Sequence, residues 1–281
     1  MNKIIELQKI CSQVRRDIVR MVHGCQSGHP GGSLGCVEFL VSLYFDIMNH
    51  NNNFNMNGDK EDLFFLSNGH ISPVLYSVLA RVGYFPITEL KTFRQIDSRL
   101  QGHPTTHEKL PGIRIASGSL GQGLSVAIGS ALTKKLNLDT STIYCLCGDG
   151  ELQEGQIWEA VMYAGSKEVD NLILTVDVNK QQICGSTEEI MNLGDLKMKF
   201  NAFNWKVFEV ENGNSIESVL NTLSVAKTLN SNKNPICILL NTEMGYGVDY
   251  MMGSHKWHGI APNDEQLKIA LAQLNETLGD Y

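Results

Sequence analysis

Two apolar runs, residues 142–147 and 171–178, frame a stretch with helical periodicity, and this arrangement constrains the fold more than any other feature of the chain. The first lies between Ser141 and Gly148 and is rich in β-formers; the second carries Leu172, Ile173, Leu174, Val176 and Val178. Apolar runs of this length without polar alternation read as strands buried on both faces, as in a parallel sheet. Between them, residues 154–169 place Ile157, Trp158, Val161 and Ala164 at helical spacing, as a crossover helix joining parallel neighbours would. The unit is βαβ. The expected fold is α/β: a doubly wound, mostly parallel sheet with helices on both faces.

Open α/β sheets bind ligands just past the carboxyl ends of their strands. Gly148-Asp149-Gly150 and Asn179 fall at two such ends. An oxygen-only pair of side chains suits Mg²⁺ or Ca²⁺, and Mg²⁺ takes few protein ligands, completing its octahedron with water and phosphate oxygens. Glycines at 148 and 150 let the backbone approach a phosphate without a Cβ in the way. The layout reads as a magnesium-diphosphate site, although a lone Gly-Asp-Gly also occurs in ordinary loops.

Other segments extend the pattern. Residues 4–22 read as an amphipathic helix rather than a secretory leader. Residues 36–48 and 124–136 read as helices, 63–66, 205–210 and 236–240 as strands, 49–58 as an asparagine-rich loop, and 264–278 as a terminal helix. Without repeat or obvious linker, residues 1–281 suffice for one large α/β domain with a substantial core.

Four of the eight histidines, His29, His70, His103 and His258, sit beside glycine or proline in loop-like segments. Imidazoles can donate to carbonyl and hydroxyl oxygens or shuttle protons near neutral pH. A surface location and a zinc site are the rival readings; the wide spacing and the lack of Cys-x-x-Cys argue against zinc. Residues 117–123 run into the 124–136 helix as a nucleotide-binding loop would, yet have neither Gly-x-Gly-x-x-Gly nor Gly-x-x-x-x-Gly-Lys spacing. For Gly121 and Gly123, cofactor contact and close helix packing stand as equals. Asp177 and Glu154 read either as site carboxylates or as solvated surface groups.

Gly148-Asp149-Gly150-Glu151 followed by Asp177-Val-Asn179 resembles the thiamine-diphosphate fingerprint, and the flanking segments resemble the transketolase family. Ser27-Gly-His-Pro-Gly31 through Leu34-Gly35, Leu66-Ser-Asn-Gly-His70 with Leu75-Tyr76, and Phe93-Arg-Gln95 with Gly102-His-Pro104 are similar to successive family motifs. Ser117-Gly-Ser-Leu-Gly-Gln-Gly123 and Trp257-His258-Gly259 complete the series in family order.

The resemblance implies that Asp149 and Asn179 bind Mg²⁺, with Ca²⁺ or Mn²⁺ as alternative ions, and that the Gln181 carbonyl adds a third oxygen. It implies thiamine diphosphate as cofactor, with contacts from His70, Gly118, Ser119, Leu120, Gly148, Asp149, Gly150, Glu151, Asn179, Ile183 and His258. His29 and His103 match positions that face the sugar, and with His70 and His258 make up the expected catalytic set. Asp177 matches a residue that orients an active-site histidine, and Glu154 a carboxylate near a subunit interface. Two departures stand out: Cys184 where the family has aspartate, a weaker acceptor, and Ser119 where many relatives have proline, which loosens the backbone.

In full-length transketolases this segment is followed by two further domains, the first of which holds the glutamate that activates the cofactor and most groups that bind sugar phosphate. The resemblance thus implies the N-terminal subunit of a split transketolase. Such a subunit transfers a two-carbon ketol unit between sugar or sugar-phosphate substrates only with a separately encoded C-terminal subunit, and two copies of each are the expected assembly. The Ile157–Ala164 helix face is a candidate interface element, though every crossover helix needs an apolar face for its own sheet.

A net charge of −7 argues against a nucleic-acid partner. Seven cysteines, odd in number and without disulfide-scaffold spacing, fit a reducing cytoplasm, and Cys145 and Cys147 read as packing residues. No apolar run is long enough to span a membrane. Two other function classes are a nucleotide-binding oxidoreductase on the same sheet logic and a non-catalytic thiamine-diphosphate-binding regulatory protein.

Overall fold

The computed structural model describes residues 2–281. Its strands are β1 (Leu63–Leu66), β2 (Ile143–Gly148), β3 (Leu172–Val178), β4 (Gln181–Gln182), β5 (Gly185–Ser186), β6 (Lys206–Val210) and β7 (Ile236–Asn241). The α-helices are α1 (Asn2–Cys25), α2 (Pro30–Gly35), α3 (Val37–Ser42), α4 (Ser72–Val82), α5 (Gly123–Leu136), α6 (Gly155–Ser166), α7 (Thr187–Met191), α8 (Leu196–Ala202), α9 (Ile216–Leu229) and α10 (Asp264–Gln273).

Five strands form one sheet in the order β1-β2-β3-β7-β6, with every pair parallel. The short β4–β5 hairpin stands apart and is antiparallel. The chain crosses from β2 to β3 in one direction along the sheet and from β6 to β7 in the other. Right-handed crossovers therefore send their helices to opposite faces. Side chains alternate accordingly: Phe64, Leu66, Tyr144 and Ile173 enter a core with α1, α3, α4 and α9, while Phe65, Cys145, Leu174 and Val176 enter a second core with α5, α6 and α8. This is the expected doubly wound architecture, and Cys145 and Cys147 are fully buried packing residues within it.

Several boundaries differ from those read in the sequence. The expected 36–48 helix is α3 followed by a wider π-helical turn, Leu43–Ile47, closed by the Met48 N–H on the Leu43 carbonyl at 2.8 Å. The terminal helix stops at Gln273 instead of 278, because the Gln13 side chain of α1 captures the Thr277 and Leu278 N–H groups and Arg16 binds Asp280. Three helices carried usable signals that the periodicity reading passed over. Pro73 opens α4 and Gly83, at φ 99°, ends it; Asp195 caps α8; Ser215 caps α9.

Gly165 of α6 approaches the chain after α8 so closely that a Cβ there would lie 1.7 Å from the Phe203 carbonyl oxygen. Gly165→Ala is expected to lower stability by about 3 kcal/mol in urea unfolding, since backbone must move to admit it. A loss below about 0.5 kcal/mol, the range of an ordinary surface change, would contradict that packing.

Candidate active site

Four loops at the carboxyl edge of the sheet converge. Beyond β1, Ser67 and Asn68 are buried, and a 3₁₀ turn, Gly69–Ile71, carries His70 into α4. Beyond β2 comes Gly148-Asp149-Gly150 and a 3₁₀ turn, Gly150–Gln153. Beyond β3, Asn179 and Lys180, the latter at φ 61°, turn the chain into the β4–β5 hairpin. Beyond β7 the chain runs through Thr242 toward the 3₁₀ turn His255–His258, which packs against β4.

Glu151 holds two of these loops and the 117–123 segment together. Only 2 % exposed, its carboxylate accepts from the Ser67 hydroxyl, from the Gly121 N–H at 2.8 Å and from the Gly148 N–H at 3.1 Å. Ser67 Oγ in turn accepts the Gly123 N–H at 3.0 Å. The first amide of α5, at Gly123, and the Gly121 amide before it are thus spent on protein side chains, which argues against the nucleotide-loop reading. Both glycines are closely packed: Gly121 sits at φ 84°, and a Cβ on Gly123 would fall 2.5 Å from Ser67 Cβ. The Glu151 carboxylate is an internal clamp.

The four candidate histidines gather from separate loops. Ring centroids lie 5.2 Å apart for His29 and His70, 5.6 Å for His29 and His258, 6.1 Å for His29 and His103, and 5.0 Å for His70 and His258. Burial pushes His29 down to about 4, helped by His258, Arg94 and His103. Burial likewise lowers His70, with help from His258, and His103, with help from Arg94; at His258 burial alone acts downward. All four are neutral at pH 7. Nδ1 of His29 and of His258 are buried without a partner among the described residues, as are Asn68 Oδ1 and Ser117 Oγ. Unspent polar atoms of this kind call for a ligand. Among the described residues no group of three or more His, Cys, Asp or Glu is placed to hold a metal.

Parallel pairing sets Gly148 beside Asp177, and the Asp149 N–H donates to the Asp177 carbonyl at 3.0 Å. Asp149, 2 % exposed, accepts the Gly150 N–H at 2.8 Å and the Lys180 N–H at 2.6 Å. Burial, then the charge of Asp177, pushes Asp149 up to about 7. Asn179 Oδ1 accepts the Gln181 N–H at 2.9 Å. A Cβ on Gly148 would meet nothing nearer than 3.8 Å, leaving the space over that backbone open.

Other expected residues fall as follows. Gly118, at φ 150°, and Ser119 are exposed, Leu120 is half-buried, and a Cβ on Gly118 would lie 3.4 Å from the His103 ring. Ile183 is 65 % exposed in the β4–β5 turn beside exposed Cys184. Glu154 is exposed at the start of α6. Asp177, expected to orient a histidine, instead bonds Asn179 and Thr242 and lies against the Cys36 thiol. Sequence reasoning missed Glu151 as a clamp, and it missed Thr242, whose place just past a strand end was the available signal.

The family described as "Transketolase, thiamine diphosphate binding domain" matches residues 7–279. The chain belongs to the transketolase family. It is 38% identical to an apulose-4-phosphate transketolase subunit of Actinobacillus succinogenes, across 96% of both chains. It is also 38% identical to the 6-deoxy-6-sulfo-D-fructose transketolase subunit SqwG of a Clostridium species, across 97% of both. The transketolase crystal structure from Campylobacter jejuni superposes with a TM-score of 0.87 at 37% identity, covering 95% of this chain and 42% of that one. The chain thus spans under half the length of that solved transketolase and nearly all of the subunit relatives. The orphaned histidine nitrogens, the buried Asp149 beside Asp177 and the open backbone at Gly148 fit the thiamine diphosphate that this domain family binds.

A histidine lowered in the folded state binds fewer protons there than when unfolded, so its contribution is complete above the ordinary value and is lost as pH falls toward the folded one. For His29 that window runs from 6.5 to about 4. Urea midpoints are expected to fall between pH 7 and pH 4.5, and less steeply in His29→Asn. An equal slope in the variant would contradict the burial of the neutral ring.

Proposed function

We propose that this chain is the diphosphate-binding subunit of a two-part transketolase, moving a two-carbon ketol unit from a ketose or ketose-phosphate donor to an aldose or aldose-phosphate acceptor. The observation that carries this reading is the convergence of four neutral histidines at the carboxyl edge of the sheet that also carries Asp149 and Asn179, in a chain coextensive with its transketolase-subunit relatives.

Asp149 and Asn179 hold a divalent ion through side-chain oxygens, and the Gln181 carbonyl supplies a third. The donor set favours Mg²⁺, a hard cation that keeps its remaining positions for water and phosphate. Neither Asp149 nor Asp177 has a cationic side chain among the groups that shift it, so an ion would relieve the repulsion between them. Gly148 and Gly150 admit the diphosphate, and Gly118, Ser119 and Leu120 line its approach. When bound, thiamine diphosphate supplies the electron sink that carbon–carbon bond chemistry next to a carbonyl requires.

The protein's share is orientation and proton movement. The His70 and His258 rings stack 5.0 Å apart and those of His29 and His103 lie 6.1 Å apart; in this reading the first pair would contact the cofactor and the second the sugar. Kept neutral, each imidazole can both accept and donate, and the free Nδ1 atoms of His29 and His258 are the positions open to such exchange. Exposed Ile183 offers an apolar contact to the bound cofactor. A separately encoded partner supplies the remaining half of the site, in an assembly with two copies of each chain. Seven cysteines without a disulfide accord with a cytoplasmic setting.

Purified alone, the chain is expected to show no ketol transfer; native mass spectrometry of material isolated from its source should find a second polypeptide and thiamine diphosphate. The chain alone and empty, or active alone, would overturn the two-part reading. In the assembled complex, Asp149→Ala should abolish cofactor retention. His103→Ala should keep the cofactor and slow transfer by about 10²- to 10⁴-fold, the usual span of an acid–base group; full turnover in that variant would remove His103 from the substrate site.

A further inference from the structure

An amide ligand has two chemically different ends, and the ion needs the oxygen. Two bonds decide the orientation of Asn179: its Nδ2 donates to Asp177 Oδ2 at 2.7 Å, and its Oδ1 accepts the Gln181 N–H at 2.9 Å. Rotating the amide by half a turn would set NH₂ against N–H and oxygen against carboxylate, so the network admits one orientation.

Asp177 is itself held from two distant parts of the chain. The Thr242 hydroxyl donates to its Oδ1, and the buried Cys36 thiol lies against the carboxylate from the turn between α2 and α3. These contacts are tightly packed. A Cβ on neighbouring Gly35 would lie 3.1 Å from the Glu243 carbonyl oxygen and 3.4 Å from Thr242 Oγ1, and the Thr242 N–H reaches the Val178 carbonyl at 3.3 Å. Asp177 and Cys36 are fully buried, and α2 begins immediately after His29.

We propose that Asp177, fixed by Thr242 and Cys36, is the positioning residue of the divalent-ion site: it aims Asn179 Oδ1 at the ion and adds a buried negative charge behind it. This rests on the ion reading given above. Through Cys36 the same clamp ties the ion site to the segment that places His29. Removing the partner of a metal ligand usually weakens metal binding by about 10- to 100-fold even though the ligand itself remains.

The test is cofactor retention by the assembled complex against Mg²⁺ concentration, measured by desalting and thiamine quantification, beside the melting temperature of the metal-free complex. Thr242→Val, which keeps shape and removes the donor, should raise the half-saturating Mg²⁺ by about 10- to 100-fold. Excess Mg²⁺ should restore full retention, with little change in metal-free melting. Cys36→Ala should shift the same way, and Cys36→Ser, which keeps a donor, should lie closer to the parent. Unchanged half-saturation in both Thr242→Val and Cys36→Ala overturns the proposal. So does a loss that excess Mg²⁺ cannot restore and that accompanies a lower metal-free melting temperature, because that marks a purely structural contact. Retention by the parent complex that ignores Mg²⁺ and chelator alike removes the ion reading itself, and the clamp's role with it.

Discussion

The ladder between β2 and β3 governs everything at the carboxyl edge of this sheet. Because Gly148 pairs with Asp177, the chain leaves both strands at one level, and Asp149 accepts the N–H of Lys180, the residue after Asn179. A slip of one residue would turn Asp177 toward the opposite face and carry its partner Asn179 with it. Register here is fixed from both sides, since Cys145 and Leu174 face one core while Tyr144 and Ile173 face the other. Two buried cores therefore serve one pair of polar residues at the edge.

Given that frame, the site is assembled by carboxylates pointing inward. Glu151 gathers the loops after β1 and β2 with the start of α5, and Asp177 gathers the ends of β3 and β7 with the α2–α3 turn. Among the described residues neither is paired with a cationic side chain; each accepts from N–H, hydroxyl or amide donors. Such bonds favour the ionised form and oppose the burial that raises both groups. The histidines show the complementary condition, with ring nitrogens left unbonded where a ligand would reach them.

The legible parts of the sequence were those where local pattern and tertiary role coincide. Strands β1, β2, β3 and β7 are short apolar runs because both their faces are covered, and the βαβ layout follows from length and spacing. The four histidines could be singled out by their glycine and proline neighbours and by family motifs. The anchoring roles of Glu151 and Asp177 were illegible because their partners, Ser67, Gly121 and Thr242, are remote in sequence and no periodicity links them. The break of the 36–48 helix was illegible for a similar reason: no Gly or Pro marks the π-helical turn at Leu43–Ile47.

The parallel sheet also has a consequence for how the chain reaches its final state. No neighbouring pair within it can close as a hairpin: Leu63 waits for Ile143, and Ile173 for Ile236. Loop-closure entropy must be met before these ladders return any stabilisation, which makes such topologies slow to form and leaves apolar strand edges open meanwhile. Thr242 follows the last strand to be synthesised, so the grip on Asp177 cannot exist until β7 has docked between β3 and β6. Binding competence is thereby a late event on the folding pathway, and a nascent chain stalled before residue 236 would carry Asp149 and Asn179 without the arrangement that makes them useful.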